Sequence, residues 1–252
     1  MCEECGCREI YSDHNSHLDQ DIHYKHDYVD HHHHDHTKTV TIGLPALQIN
    51  NEHATRNRKF FIEHHVLAVN LISSPGSGKT TLLEQMAKRF GKTMGVIVGD
   101  IQTRRDADRI INSGSRAHQI ETGGACHLDA HSVGHALEEL DFTGVKLCVI
   151  ENVGNLVCPA AYDLGEAMKI AILSTPEGDD KVLKYPSIFS RISVLLINKM
   201  DIATYLDFDV EKVKSECRSL NVNCDIFAIT AKTGQGIDEL CDYLMEKRNT
   251  MV

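Results

Sequence analysis

The chain has 252 residues, of which 42% are hydrophobic and 25% charged, enough to build one α/β domain of roughly 200 residues with a tail. Lys+Arg 26 against Asp+Glu 36 leaves a net charge of −10, which argues against a general nucleic-acid binder. No apolar run nears the ~18 residues of a membrane span, the N-terminus is polar from its first residues as no secretory signal would be, and in the cytoplasmic setting this implies, nine Cys are metal ligands, reactive thiols or core fillers rather than disulfides.

The first stretch, residues 1–36, holds nine acidic and two basic residues, Arg8 and Lys25, and nine of the 16 His, including His31 to His34. It has few residues able to build a core, so residues 1–40 are expected to be a disordered, metal-attracting tail. An expression tag or an inert solvating segment are the competing readings. Against them, His alternates with Asp over more than 20 residues, and neutral imidazole is the commonest metal ligand. Ahead of the tract stands Cys2-x-x-Cys5-x-Cys7, three thiols that can wrap one soft or borderline ion, with Gly6 allowing a tight turn; free thiols in a floppy tail are the alternative. Residues 41–65 then read as a lead-in helix, with Ala46, Leu47, Ile49, Ala54, Phe60, Phe61 and Ile62 giving it an apolar side.

From Val66 short apolar runs alternate with amphipathic stretches through residues 66–252. Strands are expected at 66–72, 94–98, 117–120, 145–150, 168–173, 193–197 and 225–229, and helices at 79–90, 103–112, 127–140, 209–219 and 236–247. That alternation means an α/β fold: a mostly parallel seven-stranded sheet with helices on both faces. Ligands of such sheets bind beyond the carboxyl ends of the strands, so the residues there carry the argument.

After the first strand, Ser73-Ser74-Pro75-Gly76-Ser77-Gly78-Lys79-Thr80-Thr81 opens a helix, the context of a phosphate-binding loop and so of a P-loop NTPase. Backbone N–H groups of Gly76, Ser77 and Gly78 and the helix N-terminus would face phosphates. Lys79 would neutralise β/γ charge, and Thr80, followed by Thr81, would join Mg²⁺. Ser73 stands where the first Gly of the strict pattern is usual. After the sixth strand, Asp201 of Asn198-Lys199-Met200-Asp201 can accept from the N1–H and exocyclic amine of guanine, whereas adenine would leave it unpaired. Asn198 would fix the loop and Lys199 would lie along the base. After the seventh strand, Ala231 and Lys232 of Thr230-Ala231-Lys232-Thr233-Gly234 sit in a loop whose backbone N–H would read guanine O6. Together these point to GTP. Two further strand ends carry acids, Asp100 and Glu151, able to hold Mg²⁺ through water or to orient the attacking water. Asp106 and Asp108 on the next helix are weaker candidates, since charge complementing a helix dipole explains them as well.

Cys126-His127 lies in a Gly-rich loop entering a helix, and Cys158 lies in the loop that begins at Glu151. Near a helix N-terminus the Cys126 thiol should favour its thiolate. Two thiolates and one imidazole suit Zn²⁺ or Ni²⁺ and leave a coordination position open. Burial as ordinary core residues is the alternative for these Cys, and it is the reading adopted for Cys148, Cys217, Cys224 and Cys241.

Taken together, Cys2-x-x-Cys5-x-Cys7, the His-rich tail, SSPGSGKTT, GDIQT, CHLDAH, ENVGNLVCP, EGDDK and NKMD resemble the HypB family, GTPases of the SIMIBI class that help insert nickel into nickel–iron hydrogenase. The similarity covers essentially residues 41–252, and CHLDAH and ENVGNLVCP separate it from the related urease-nickel GTPases. The resemblance implies that Cys2, Cys5 and Cys7 form a high-affinity nickel motif. It also implies that Cys126, His127 and Cys158 form a G-domain site for nickel or zinc at a subunit interface, that GTP drives homodimerisation, and that the partners are hydrogenase-maturation proteins and the hydrogenase large-subunit precursor. Val98 before Gly99-Asp100, and Gly124-Ala125 before Cys126, depart from the family pattern without touching a named ligand. Rival readings are a metal store with a relic GTPase fold, a GTPase delivering another divalent metal, and a kinase or ATPase with the same loop, the last opposed by Asn198 and Asp201.

Overall fold

A computed structural model of the protein describes residues 43–100 and 105–251. Cys2, Cys5, Cys7 and the His tract lie outside the described residues. The chain enters through helix α1 (Gly43–Glu63), then strand β1 (Leu67–Ser73), α2 (Lys79–Phe90), β2 (Met94–Asp100), α3 (Arg105–Asn112), β3 (Arg116–Glu121), α4 (Ala130–Glu139), β4 (Leu147–Glu151) and β5 (Met168–Ser174). Two short helices, α5 (Lys181–Lys184) and α6 (Pro186–Phe189), precede β6 (Val194–Asn198), α7 (Val210–Leu220), β7 (Asp225–Ala228) and α8 (Ile237–Met251).

The seven strands form one sheet in the order β3-β2-β4-β1-β5-β6-β7, and every pairing is parallel. This is the α/β architecture that the alternating runs imply. Parallel strands need both faces covered, and the central ones are buried at every position. Their side chains divide by the period of two. Leu67, Val69, Leu71, Val194 and Leu196 face one way, into a core with α2, α3 and α8. Ala68, Ile97, Cys148 and Ile150 face the other way, under α1 and α4. Further along that face, Ile72, Leu195 and Ile197 meet α5, α6 and α7. Cys148, Cys217, Cys224 and Cys241 are buried in these cores. Among the described residues no helix is long and apolar enough to cross a membrane.

The helix expected from residue 127 begins at Ala130. Asp129 takes the N-cap, accepting from the Ser132 N–H at 2.7 Å, so the first turn cannot extend further back. His127 is therefore, like Cys126, a loop residue ahead of the helix rather than part of its first turn.

Candidate functional site

At the end of β1 the chain turns through Gly76 and Gly78 into α2. Gly78 has φ 102°, and a Cβ there would stand 2.6 Å from Asn198 Nδ2, so only glycine fits. Asn198 is buried at the end of β6. It donates to the Ser77 carbonyl at 2.8 Å and accepts from the Ala231 N–H at 3.0 Å, tying the loop to the segment after β7. Lys199, in a left-handed conformation at φ 64°, donates to the Gly76 carbonyl at 2.8 Å. Asp201 and Lys232 follow these anchors and are exposed.

Lys79 Nζ donates to Ser73 Oγ at 2.8 Å, and Ser77 Oγ donates to the same oxygen at 2.5 Å. The residue that replaces the usual glycine thus holds the loop lysine. Burial lowers the Lys79 pKa, with Glu151 the strongest opposing influence. Glu151 ends β4 between Leu71 of β1 and Val98 of β2 and is 3% exposed. Its Oε1 accepts from Thr80 Oγ1 at 3.2 Å, while Oε2 is buried with no hydrogen-bond partner. Burial pushes this carboxyl up to about 7, against the pull of Lys79. A buried carboxylate oxygen without a donor, beside a threonine hydroxyl, fits an oxygen-liganded cation such as Mg²⁺.

These groups line a cleft of about 470 Å³ that includes Lys79, Thr80, Thr81, Asp100, Asp106 and Glu151, within the size range of small-molecule sites. Asp106 is paired with Arg109 at 3.2 Å, and Arg109 also grips Glu84 through two bonds of 3.0 and 2.8 Å. Arg109 lines the cleft too, a cation that no sequence motif marks beside the acids of the same helix.

The Cys126, His127 and Cys158 ligand atoms all lie within 4.8 Å of one another, the one such cluster among the described residues. Cys126 Sγ is 3.5 Å from His127 Nδ1. The His127 ring stacks on Tyr162, centroids 3.8 Å apart, and burial lowers its pKa against the opposing charge of Asp129. A neutral imidazole is the form that binds metal. Cys158 opens a short 3-10 turn on the loop that leaves β4. Thiolate, thiolate and imidazole from two loops are a donor set for a borderline divalent ion with a position left open.

The two sites share a framework that the motifs did not announce. Asn152, adjacent to Glu151 and buried, accepts at Oδ1 from the Leu128 N–H (3.1 Å) and the Val153 N–H (3.0 Å). Its Nδ2 donates to Asn70 Oδ1 at 3.2 Å. Asn70 in turn contacts Glu166, which accepts from the Leu164 N–H at 2.7 Å and lies 3.4 Å from Lys169 Nζ. Lys169 Nζ donates to the carbonyl of Tyr162, the residue under His127. A second link runs from the carbonyl of Asp100, which accepts from the Thr122 N–H at 3.1 Å where the Cys126 loop begins. The only hint of this in the sequence is Asn70, a polar residue inside an otherwise apolar strand.

A family described as the CobW/HypB/UreG nucleotide-binding domain matches residues 67–228. The hydrogenase maturation factor HypB of Azotobacter vinelandii is 46% identical over 216 residues, 85% of this chain and 71% of that protein. The crystal structure of HypB from Helicobacter pylori in complex with nickel superposes with a TM-score of 0.76 at 41% identity, covering 80% of this chain and 95% of that one. The crystal structure of the hydrogenase maturation factor HypB from Archaeoglobus fulgidus gives a TM-score of 0.75 at 39% identity over 81% of this chain and all of that one.

Proposed function

This chain belongs to the HypB family of hydrogenase maturation factors, and from that premise we propose that it hydrolyses GTP to GDP and phosphate and uses the cycle to bind nickel and pass it on during hydrogenase maturation. Nickel is cargo here. The phosphates would lie on the Gly76–Thr81 loop with Lys79 as their counter-charge. Guanine would lie against Lys199, with Asp201 accepting its two N–H groups and the backbone at Ala231 and Lys232 near its carbonyl. Glu151, with Asp100 as its neighbour at the end of the adjacent strand, is the acid that orients water. Mg²⁺, when bound, would be held by the Thr80 hydroxyl and the Glu151 carboxylate and would neutralise charge on the β- and γ-phosphates.

The observation that carries this reading is the convergence of Cys126, His127 and Cys158 ligand atoms within 4.8 Å, with Cys158 on the segment that starts at Glu151. A loop drawn by the third phosphate moves one thiolate relative to the other two ligands, so metal affinity and nucleotide state are reciprocally linked. The open position in the donor set, next to the exposed Val157, is where the second copy of a GTP-dependent homodimer would complete the coordination. Cys2, Cys5, Cys7 and the His tract would capture nickel first, in the cytoplasm, and the recipients would be maturation partner proteins and the hydrogenase large-subunit precursor.

The test is nickel transfer to that precursor with GTP, GDP or no nucleotide, in the native chain, a Cys126→Ala variant and a variant lacking the three tail cysteines. Transfer should need GTP and Cys126, and transfer indifferent to nucleotide would sink the proposal. The same donor set suits Zn²⁺, so the metal content of the untagged protein decides between nickel and zinc as cargo of the Cys126 site.

A further inference from the structure

Helix α1 meets α4 along a face marked by Asn50, His53 and Asn57, spaced as one side of a helix requires. Asn50 accepts from the Ala130 N–H at 2.9 Å, and Asn57 donates to the Ala130 carbonyl at 2.7 Å. Both asparagines are buried. The backbone just before His131 is therefore held on both sides by the residues that flank His53. At Gly134 a Cβ would stand only 3.1 Å from Asn57 Oδ1, so the absence of a side chain there lets the two helices close.

At the margin of this clamp three imidazoles meet. His131 and His135 are one turn apart and exposed on α4, with their Nε2 atoms 3.3 Å apart. The half-buried His53 ring packs edge-on against His131, centroids 4.8 Å apart. Glu138 lies 3.9 Å from Nδ1 of His135. Two neutral rings could share an N–H···N bond at this separation. The separation also suits chelation, since two ligands of a tetrahedral ion with zinc–imidazole bonds of ~2.0–2.1 Å stand ~3.3–3.4 Å apart.

The geometry points to a separate metal site in which His131 and His135 chelate one borderline divalent cation, Ni²⁺ or Zn²⁺, and His53 turns in as the third ligand. Imidazole donors select this class over Mg²⁺ or Ca²⁺, which take oxygen. His131 and His135 ride on one helix with their donors already paired, and His53 sits on a helix fixed to it by buried hydrogen bonds, so side-chain rotation of His53 alone completes the set. Glu138, 3.9 Å from Nδ1 of His135, adds a nearby negative charge that favours a bound cation. An ion bound here would bridge α1 to the helix that follows the Cys126 loop. This site requires no step of the GTPase reading.

Histidine footprinting of the full chain with diethyl pyrocarbonate, read by peptide mass spectrometry during titration with Ni²⁺ or Zn²⁺, tests it residue by residue. His131 and His135 should lose their modification together, before the exposed His64, whose Nδ1 is already occupied by the Phe60 carbonyl at 2.9 Å. The loss should persist in a Cys126→Ala/Cys158→Ala chain, which separates this site from the thiolate one. His135→Ala should restore the reactivity of His131, and His53→Gln should move protection of the pair to higher metal concentration. Both substitutions are at side chains with no buried hydrogen bond, and circular dichroism checks that the helices remain. Protection of His131 that survives His135→Ala, protection no earlier than that of His64, or equal protection by Mg²⁺ would each overturn the proposal.

Discussion

Replacing Glu151 by glutamine keeps the shape of the side chain and removes its charge, and the structure says what should follow. Burial raises the carboxyl from 4.5 to about 7. A group whose folded-state pKa is raised favours folding most when protonated. Its contribution is complete below the unfolded value near 4.5 and is lost as pH climbs through about 7. One pKa unit is worth about 1.4 kcal/mol, so above neutral pH the ionised carboxylate costs the nucleotide-free fold on the order of 3 kcal/mol. Part of that cost is offset by the Lys79 ammonium, itself buried and drawn to Glu151, and the variant forfeits this attraction. Glu151→Gln should therefore match the native chain near pH 4.5 and exceed it by about 1–3 kcal/mol at pH 8. Urea denaturation of nucleotide-free protein across pH 4.5–8.5 measures the gap. GTP hydrolysis by the variant should fall by about 10²-fold or more, the scale of a lost general base or water-orienting group. Parallel pH profiles for the two proteins would refute the claim that Glu151 is held in the low-dielectric wall of the cleft.

Asn152→Ala would leave the Leu128 and Val153 N–H groups and the Asn70 side-chain oxygen Oδ1 without their Asn152 partner. It should cost about 2–4 kcal/mol in thermal or urea unfolding and should make nickel affinity the same with GDP and with a non-hydrolysable GTP analogue. Gly165→Ala puts a Cβ 2.7 Å from the Ala54 carbonyl oxygen and 2.8 Å from the Arg58 nitrogen at φ +92°. It should lower stability by about 2–4 kcal/mol and expose α1 to limited proteolysis before the rest of the chain. Asp201→Asn should weaken GTP binding by about 10²–10⁴-fold, leave weak ATP binding unchanged, and favour xanthosine triphosphate, whose base offers an acceptor where guanine offers its amine; competition binding reads all three.

The sheet was legible because parallel strands are apolar on both faces, so runs such as Leu67–Ile72 and Val194–Ile197 stand out by composition. The strand ends followed from the fold, and Gly76–Thr81, Asn198–Asp201 and the acids at 100 and 151 lie where that geometry puts ligands. The start of α4 at Ala130 rather than residue 127 has a local signal in the sequence, since Asp129 with Ser132 three residues on is an N-cap pattern. The polar framework was not legible. Asn50, Asn57 and Asn70 bond to groups 73 to 113 residues away, and no local pattern reports such a partner. For the same reason α1 read as a helix docked by its apolar side. Ala54 and Phe61 are indeed buried, but the position of α1 over the metal loop is set by amides and by the Arg58–Asp163 pair, two bonds of 2.7 Å each.

The placement of Glu151 and Asn152 explains how one short segment can serve two sites. Along extended chain successive side chains point to opposite sides. Glu151 accordingly reaches Thr80 at the phosphate loop, while Asn152 reaches the Leu128 N–H beside His127. Asp100 repeats the pattern on the neighbouring strand, with its side chain at the cleft and its carbonyl bonded to Thr122 at the start of the Cys126 loop. Any shift of these strand ends toward a bound phosphate must break or carry along bonds to the loop that bears Cys126 and His127, two of the three proposed metal ligands. Coupling through such a frame typically amounts to 1–3 kcal/mol, about 5–150-fold in affinity. That is enough to turn a retained ion into a released one only if the recipient's affinity lies within the same span. The nickel affinity of the acceptor, measured beside those of the GTP- and GDP-bound chain, thus sets whether hydrolysis alone can drive transfer.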